Sequence, residues 1–353
     1  MADCARRAAG VDQAMGKTIV RLKDIADRTG FSVNTVSLAL RQSPRIPAET
    51  AQLIREAAEA LNYLPNHIAK SLVSRETKTI GLVLTDITNP TLTHVAQAIE
   101  LALAERGYST LFATSNNDLA EEKRVIEMFR SRQVDGMLIY PRSHRELDHI
   151  RRLRSARYPV VLLVADPDAG IDAVCIDERR GAHRAVRHLL DQGHRRIGII
   201  DGAHRLGNRE KQDGYRQALD EAGIAVDPRW LVDPAGHSVL HGYQAMDQLM
   251  AAPERVTAVF AANDTLAIGA LRWTQKHDCR VPQDVAIIGF DNIEFAEHAA
   301  TPLSSINYAV GAVTAMAIDR LLGLIAAGDT LPEPQVSMID PDLVIRDSTV
   351  APA

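Results

Sequence analysis

Cysteine is nearly absent: Cys4, Cys175 and Cys279 are an odd number in 353 residues and lie far apart. No disulfide framework is expected, and a reducing cytoplasm fits. No uninterrupted apolar run of about 18 residues occurs, so no membrane span is expected. Arg6 and Arg7 are not followed by an apolar stretch, so residues 1–17 read as a disordered leader, with Met15 as an alternative start. No GxGxxG follows the first candidate strand, which argues against a dinucleotide fold. The chain also lacks GxSxG, HExxH and a Walker loop. A hydrolase or kinase would have no nucleophile or phosphate cradle, and neither an enzyme activity nor a cofactor is expected.

What is present is length enough for two or three units and 46% hydrophobic residues, enough for a substantial core. The net charge of −5 hides an asymmetry. Residues 17–75 carry nine Lys and Arg against five acids, residues 1–16 balance, and the remainder is −9. A basic head on an acidic body is the charge pattern of a nucleic-acid-binding module.

Within 18–64 the periodicity predicts three short helices. Leu22, Ile25 and Ala26 form an i, i+3, i+4 face that ends at Thr29-Gly30, a C-cap signal. Ser32 is a good N-cap for a second helix from Val33 to about Leu40, with Val36, Ala39 and Leu40 on one side. A third follows Pro47, with Leu53, Ile54, Ala57, Ala58 and Leu61 as its expected buried stripe. Two short helices joined by so tight a glycine-containing turn make a helix-turn-helix. The short polar groups at Ser32, Asn34, Thr35 and Ser37 suit phosphates and base edges, where a solubility face would carry Glu and Lys. The alternative is a plain three-helix subdomain with no DNA role.

The segment LKDIADRTGFSVNTVSLAL…IPAETAQLIREAAEALNYLPNHIAKSL resembles the head of the lactose-repressor (LacI/GalR) family, and the resemblance continues through nearly the whole chain from residue 18. It implies that Val33 and Asn34 reach base edges while Ser32, Thr35 and Ser37 mostly anchor phosphates. The next position is usually an arginine that reads guanine; here it is Leu38, which offers only apolar contact, and Lys23 stands where several relatives have tyrosine. Residues 65–77 read either as a tether or, by the resemblance, as a hinge helix that orders on specific DNA. Asn66 opens it, Ile68 and Ala69 would pack against the second hinge in the minor groove, Lys70 would meet a phosphate, and Leu72 would wedge between base steps.

From residue 79 short β-branched runs alternate with amphipathic helices, which predicts parallel sheets with helices on both faces, in two lobes. The resemblance implies a periplasmic-binding-protein-like effector core over 78–347. Its N-lobe would be about 78–176 and 306–336, its C-lobe about 177–305 and 337–347, and 348–353 a tail. The three crossings are placed near Ile176–Asp177, Ser304–Ile306 and Val336–Met338. The effector would lie between the lobes, at carboxyl ends of strands.

Three motifs point there. TDITNPTL supplies Asn89, Thr91 and Leu92, FAANDTLAIGAL supplies Asn263, and VAIIGFDNIEFA supplies Asp291. Relatives often carry two phenylalanines where Thr91 and Leu92 stand, so these two positions offer no ring to stack on the ligand. Lys211 replaces a family arginine, with Arg209 nearby; either would hold a carboxylate or phosphate, and Tyr308 would close the pocket. Each strand-end Asn or Asp has an ordinary alternative as a helix cap. His183, His188, His194, His237 and His241 complete no recognised zinc spacing, so no metal is expected, and Asp166, Asp168, Asp172 and Asp177 read as solvated.

These readings converge on a cytoplasmic homodimeric repressor, on the nucleoid when bound to a near-palindromic operator. A sugar or related metabolite would control it allosterically, and no leucine-heptad tail for tetramer formation is present. The rivals are a solute-binding or sugar-processing protein, for which no export signal is present, and a DNA-binding regulator controlled by a partner protein.

Overall fold

The computed structural model describes residues 20–63 and 76–350. They fall into two compact units divided at Arg75–Glu76. The leader, the hinge residues Asn66, Ile68, Ala69, Lys70 and Leu72, and the last three residues lie outside the described residues.

In the head, α1 (Leu22–Thr29) stops where Gly30 takes φ 78°, a left-handed conformation that is easy without a Cβ; its N–H bonds the Ala26 carbonyl. The Ser32 hydroxyl then starts α2 (Val33–Leu40) by accepting from the Thr35 amide at 3.1 Å. After Pro47 comes α3 (Ala48–Ala60). Ile25, Ala26, Val36, Ala39, Ala51, Ile54 and Ala58 form the small core. Leu53, expected in the buried stripe, is instead 50% exposed. The inward row of α3 runs Ala51, Ile54, Ala58, and Leu53 sits about 100° from Ile54 around the helix.

The second unit holds two six-stranded sheets. The first takes β1 (Thr79–Leu84), β2 (Ser109–Thr114), β3 (Gly136–Ile139), β4 (Val160–Leu162), β5 (Ala173–Ile176) and, much later, β11 (Val336–Ile339), in the order β11-β5-β4-β3-β1-β2. Between these strands run α4 (Pro90–Glu105), α5 (Leu119–Ser131) and α6 (Asp148–Ser155). The second sheet takes β6 (Ile197–Ile200), β7 (Leu231–Val232), β8 (Ala258–Ala261), β9 (Ala286–Asp291), β10 (Ser304–Asn307) and β12 (Leu343–Val344), in the order β12-β10-β9-β8-β6-β7. Its helices are α7 (Glu178–Asp191), α8 (Glu210–Glu221), α9 (Val239–Ala251), α10 (Asp264–Lys276) and the short α11 (Glu294–Glu297). All pairings are parallel except β10 with β12. Helices cover both faces, so central strands such as β3, β6 and β8 are buried throughout, which is why they read as unbroken apolar runs.

The chain passes between lobes three times. The first passage follows Ile176. The second comes later than placed from sequence: β10 pairs with β9 up to Asn307↔Asp291, and only α12 (Val310–Ala327) returns to pack on the first sheet and α4. The third lies beyond Ile339, because β11 pairs with β5 from Val336↔Ala173 to Ile339↔Ile176 before β12 joins the second sheet. The segments taken as the second and third crossings are themselves paired strands.

Helix α12 is 18 residues long with mean hydropathy 1.7, enough for a membrane span by length and composition, although Asp319 and Arg320 interrupt it. Its Val313, Ala317, Ile318, Leu321 and Leu324 are buried where it packs on the first sheet and α4. Two further expectations are corrected. Asp172 is not solvated: it is fully buried, accepting from Arg154 Nε at 2.9 Å and Arg320 Nε at 2.7 Å. The supposed tail contributes Ser348 and Thr349 to the interior, where the Ser348 hydroxyl donates to the Ile287 carbonyl at 2.6 Å and Thr349 bonds His188 at 2.9 Å.

Candidate ligand cleft and nucleic-acid interface

Parallel strands present all their carboxyl ends on one side, and there the two sheets enclose a cavity of about 650 Å³. Asn89, Thr91, Leu92, Lys211, Asn263, Asp291 and Tyr308 all line it. Arg209 does not: it is exposed and stands as the residue before α8, so the sequence reading that paired it with Lys211 is corrected.

Several lining groups also hold the fold. Asn89 Oδ1 accepts from the Thr91 amide at 2.9 Å and Asn263 Oδ1 from the Leu266 amide at 2.8 Å, so each caps a helix. The cap occupies the carbonyl oxygen and leaves the amide donors for other use. Lys211 Nζ donates to the Ala262 carbonyl at 2.9 Å, pairs with Glu178 Oε1 at 3.3 Å and lies 4.0 Å above the Phe290 ring. Burial pulls its pKa down, but Glu178, Asp291 and Asp201 together raise it above the ordinary lysine value. The Asp291 carboxyl is pushed up to about 6 by burial, against the downward pull of Lys211 and the Thr91 hydroxyl. Tyr308 is buried, its hydroxyl donating to the Leu163 carbonyl at 3.5 Å, and burial pushes its pKa up. Asp264, next to Asn263, is fully buried and accepts from the Ser305 hydroxyl at 2.6 Å and the Ile293 amide at 2.8 Å. Its burial raises its pKa well above the carboxylate range, and it ties β10 to the loop after β9.

Sequence reasoning missed a second set of lining residues. Arg142 and His144 follow β3, Glu178 opens α7, and Asn208 and Glu210 enter α8. Asn208 Oδ1 accepts from the His144 amide at 2.9 Å, and its Nδ2 donates to the Arg142 carbonyl at 3.3 Å, a direct tie between lobes. The signal was available, since YPRSH follows an apolar strand just as the three recognised motifs do. Of the histidines considered for metal, His183 bonds Glu221 at 2.8 Å, His194 bonds Thr257 at 3.1 Å and His241 bonds Ser238 at 2.7 Å. His237 and His241 also line the cavity.

In the head, Ser32, Val33 and Asn34 are exposed, Val33 by 45%. Thr35, Ser37 and Leu38 are half-buried beside them. The Ser32 and Thr35 hydroxyls bond each other at 2.9 Å, and Arg41 reaches back to the Ser37 hydroxyl at 2.9 Å, bringing a guanidinium to this face.

Residues 21–66 match the family model described as bacterial regulatory proteins, lacI family, and residues 186–349 match a periplasmic binding protein-like domain. An HTH-type transcriptional repressor PurR from Mannheimia succiniciproducens is 32% identical over 330 residues, 93% of this chain and 98% of its own length. The chain belongs to the LacI family. This LacI-family chain is accordingly a DNA-binding transcriptional repressor with an effector-binding core, and it is not an enzyme. Like its family it binds operator DNA and small-molecule effectors, and it acts in the cytoplasm. Among solved structures, the transcriptional regulator CelR in complex with cellobiose is 30% identical, with TM-score 0.68 and coverage of 93% of this chain and 99% of that one. The Lac repressor dimer bound to operator and the anti-inducer ONPF shares the fold, with TM-score 0.84 at 24% identity over 94% of this chain.

Proposed function

We propose that this repressor reads a near-palindromic operator and responds to a sugar or sugar derivative held in the interlobe cleft. Val33, Asn34 and Leu38 meet base edges, while Ser32, Thr35 and Ser37 anchor phosphates. From the hinge, Asn66, Ile68, Ala69 and Lys70 lie along the minor groove and Leu72 wedges into it. In the cleft Asn89, Asn263, Asp291 and Lys211 address hydroxyls, Thr91 and Leu92 shape one wall, and Tyr308 closes another.

The observation that carries the effector class is the lining. The cavity has the size of a small-molecule site, and carboxamides, one lysine and several carboxylates, Asp291 among them, converge on it. The helix start facing it bears Thr91 and Leu92, with no aromatic ring to stack on a flat ligand. The cellobiose complex of the CelR relative agrees with a sugar. A bound effector bridging β1, β8 and β9 loops favours one arrangement of the lobes. That preference is what shifts operator affinity, by about 1–3 kcal/mol in typical coupled systems.

The test is a titration of the full-length protein on DNA fragments from its own gene neighbourhood, across salt and with a panel of sugars, sugar acids and nucleosides. Salt-dependent binding to one near-palindrome, shifted by one sugar, is expected. Asp291→Ala should then keep operator binding and lose the shift. A shift by nucleosides alone would sink the sugar reading.

A further inference from the structure

We propose that His144, Glu178 and Glu210 form a divalent-cation site at the base of the cleft, and that the ion clamps the two lobes together. One donor atom from each of the three lies within 4.8 Å of the others. The histidine comes from the first lobe, on the loop after β3. Both glutamates come from the second, at the starts of α7 and α8.

The site is built rather than incidental. His144 is 4% exposed and Glu178 8%, and the Glu210 side chain is 18% exposed. His144 Nδ1 lies 3.1 Å from Glu210 Oε2 but is not aligned for a hydrogen bond. The imidazole nitrogen and the Glu210 oxygens are buried with mainly each other as partners, without a well-aligned hydrogen bond between them. Buried polar atoms are nearly always fully satisfied, and a cation between the three groups would complete what the His144–Glu210 contact leaves unmet.

Charge points the same way. Asp201, Asp291, Glu178 and Glu210 all line the cleft. Against them stands Lys211, since Arg142 is turned to Glu146 at 3.2 Å and to the Asn117 carbonyl at 3.0 Å. Lys211 takes one oxygen of Glu178, leaving the other for a metal. An imidazole nitrogen with two carboxylates suits zinc, manganese or ferrous iron better than magnesium or calcium, which favour all-oxygen shells. Three protein ligands leave a position open toward the cavity. The inference does not depend on which effector the cleft takes.

The experiment is calorimetric titration of chelator-treated full-length protein with zinc chloride and with manganese chloride, alongside thermal unfolding. One ion per protomer and a higher unfolding temperature are expected. H144A and E210Q should each weaken the ion by more than about tenfold while matching the metal-free parent in unfolding transition and in operator binding. E210Q is isosteric, so it remains informative if H144A folds poorly. Absence of binding, or undiminished binding in E210Q, overturns the site. So does an E210Q protein that is more stable than the metal-free parent in a parent that takes no metal, since a proton or an organic cation then fills the gap. Operator binding is read separately, so failure here leaves the repressor assignment standing.

Discussion

Asp291 ends β9 at φ 106°, a conformation that L side chains rarely adopt, and it keeps a buried carboxyl whose pKa is about 6. A pKa raised from 3.8 means that the fold prefers the protonated form. Its contribution to stability is therefore full below about 4 and lost as pH rises through about 6. Ligand binding runs in the opposite sense, because hydroxyl donors bond the ionised form. Effector affinity should rise between pH 5 and 7, and Asp291→Asn should flatten that profile; a parallel profile in the variant would remove Asp291 from the contact. Asp172 is the other informative residue, since two arginines from α6 and α12 converge on it at β5. Asp172→Ala leaves both guanidinium groups without their partner and should cost about 3–5 kcal/mol in urea unfolding. A loss below about 1 kcal/mol would show that solvent replaces the carboxylate.

At the scale of elements, α2 is set by its own sequence. Ser32 caps it, Val36 and Ala39 bury one face, and Val33 and Asn34 are left exposed at its start. A helix held by its neighbours in the head can therefore offer Asn34 without rearrangement. Asn34→Ala should weaken operator binding by about 1–3 kcal/mol and leave the thermal transition of the core unmoved. Equal affinity for operator and random DNA in the parent, unchanged by this variant, would place base reading elsewhere. Helix α12 shows the reverse case. Its composition alone fits a bilayer, and its role follows from what covers it: α4, the first sheet, and Arg320 reaching Asp172.

For the whole molecule, the first lobe leaves apolar surface open where α4 meets β2, the edge strand of its sheet. Leu101 on α4 is 56% exposed and Phe112 on β2 is 43% exposed. The Lac repressor structure is that of a dimer, and we propose that a second copy of this chain covers this face. Leu101→Glu should shift the protein toward monomer in sedimentation and weaken operator binding, because each head reads half a site. A dimer of unchanged strength would move the interface to another face, such as the start of α9, where Leu240 is 61% exposed.

The sequence by itself determined the head, its caps and turn, the alternation of strands and helices, and the strand-end motifs at Asn89, Asn263 and Asp291. These are local matters: capping chemistry, periodicity, and the rule that parallel sheets bind at their carboxyl ends. What it left open depended on pairings distant in the chain. Whether β10 and β11 are crossings or strands is decided by their partners β9 and β5. Whether Asp172 is solvated depends on Arg154 and on Arg320, far along the chain. His144 and Glu210 gain a shared meaning only when the two lobes face each other, because burial and proximity are properties of the folded cleft and leave no mark on either local sequence.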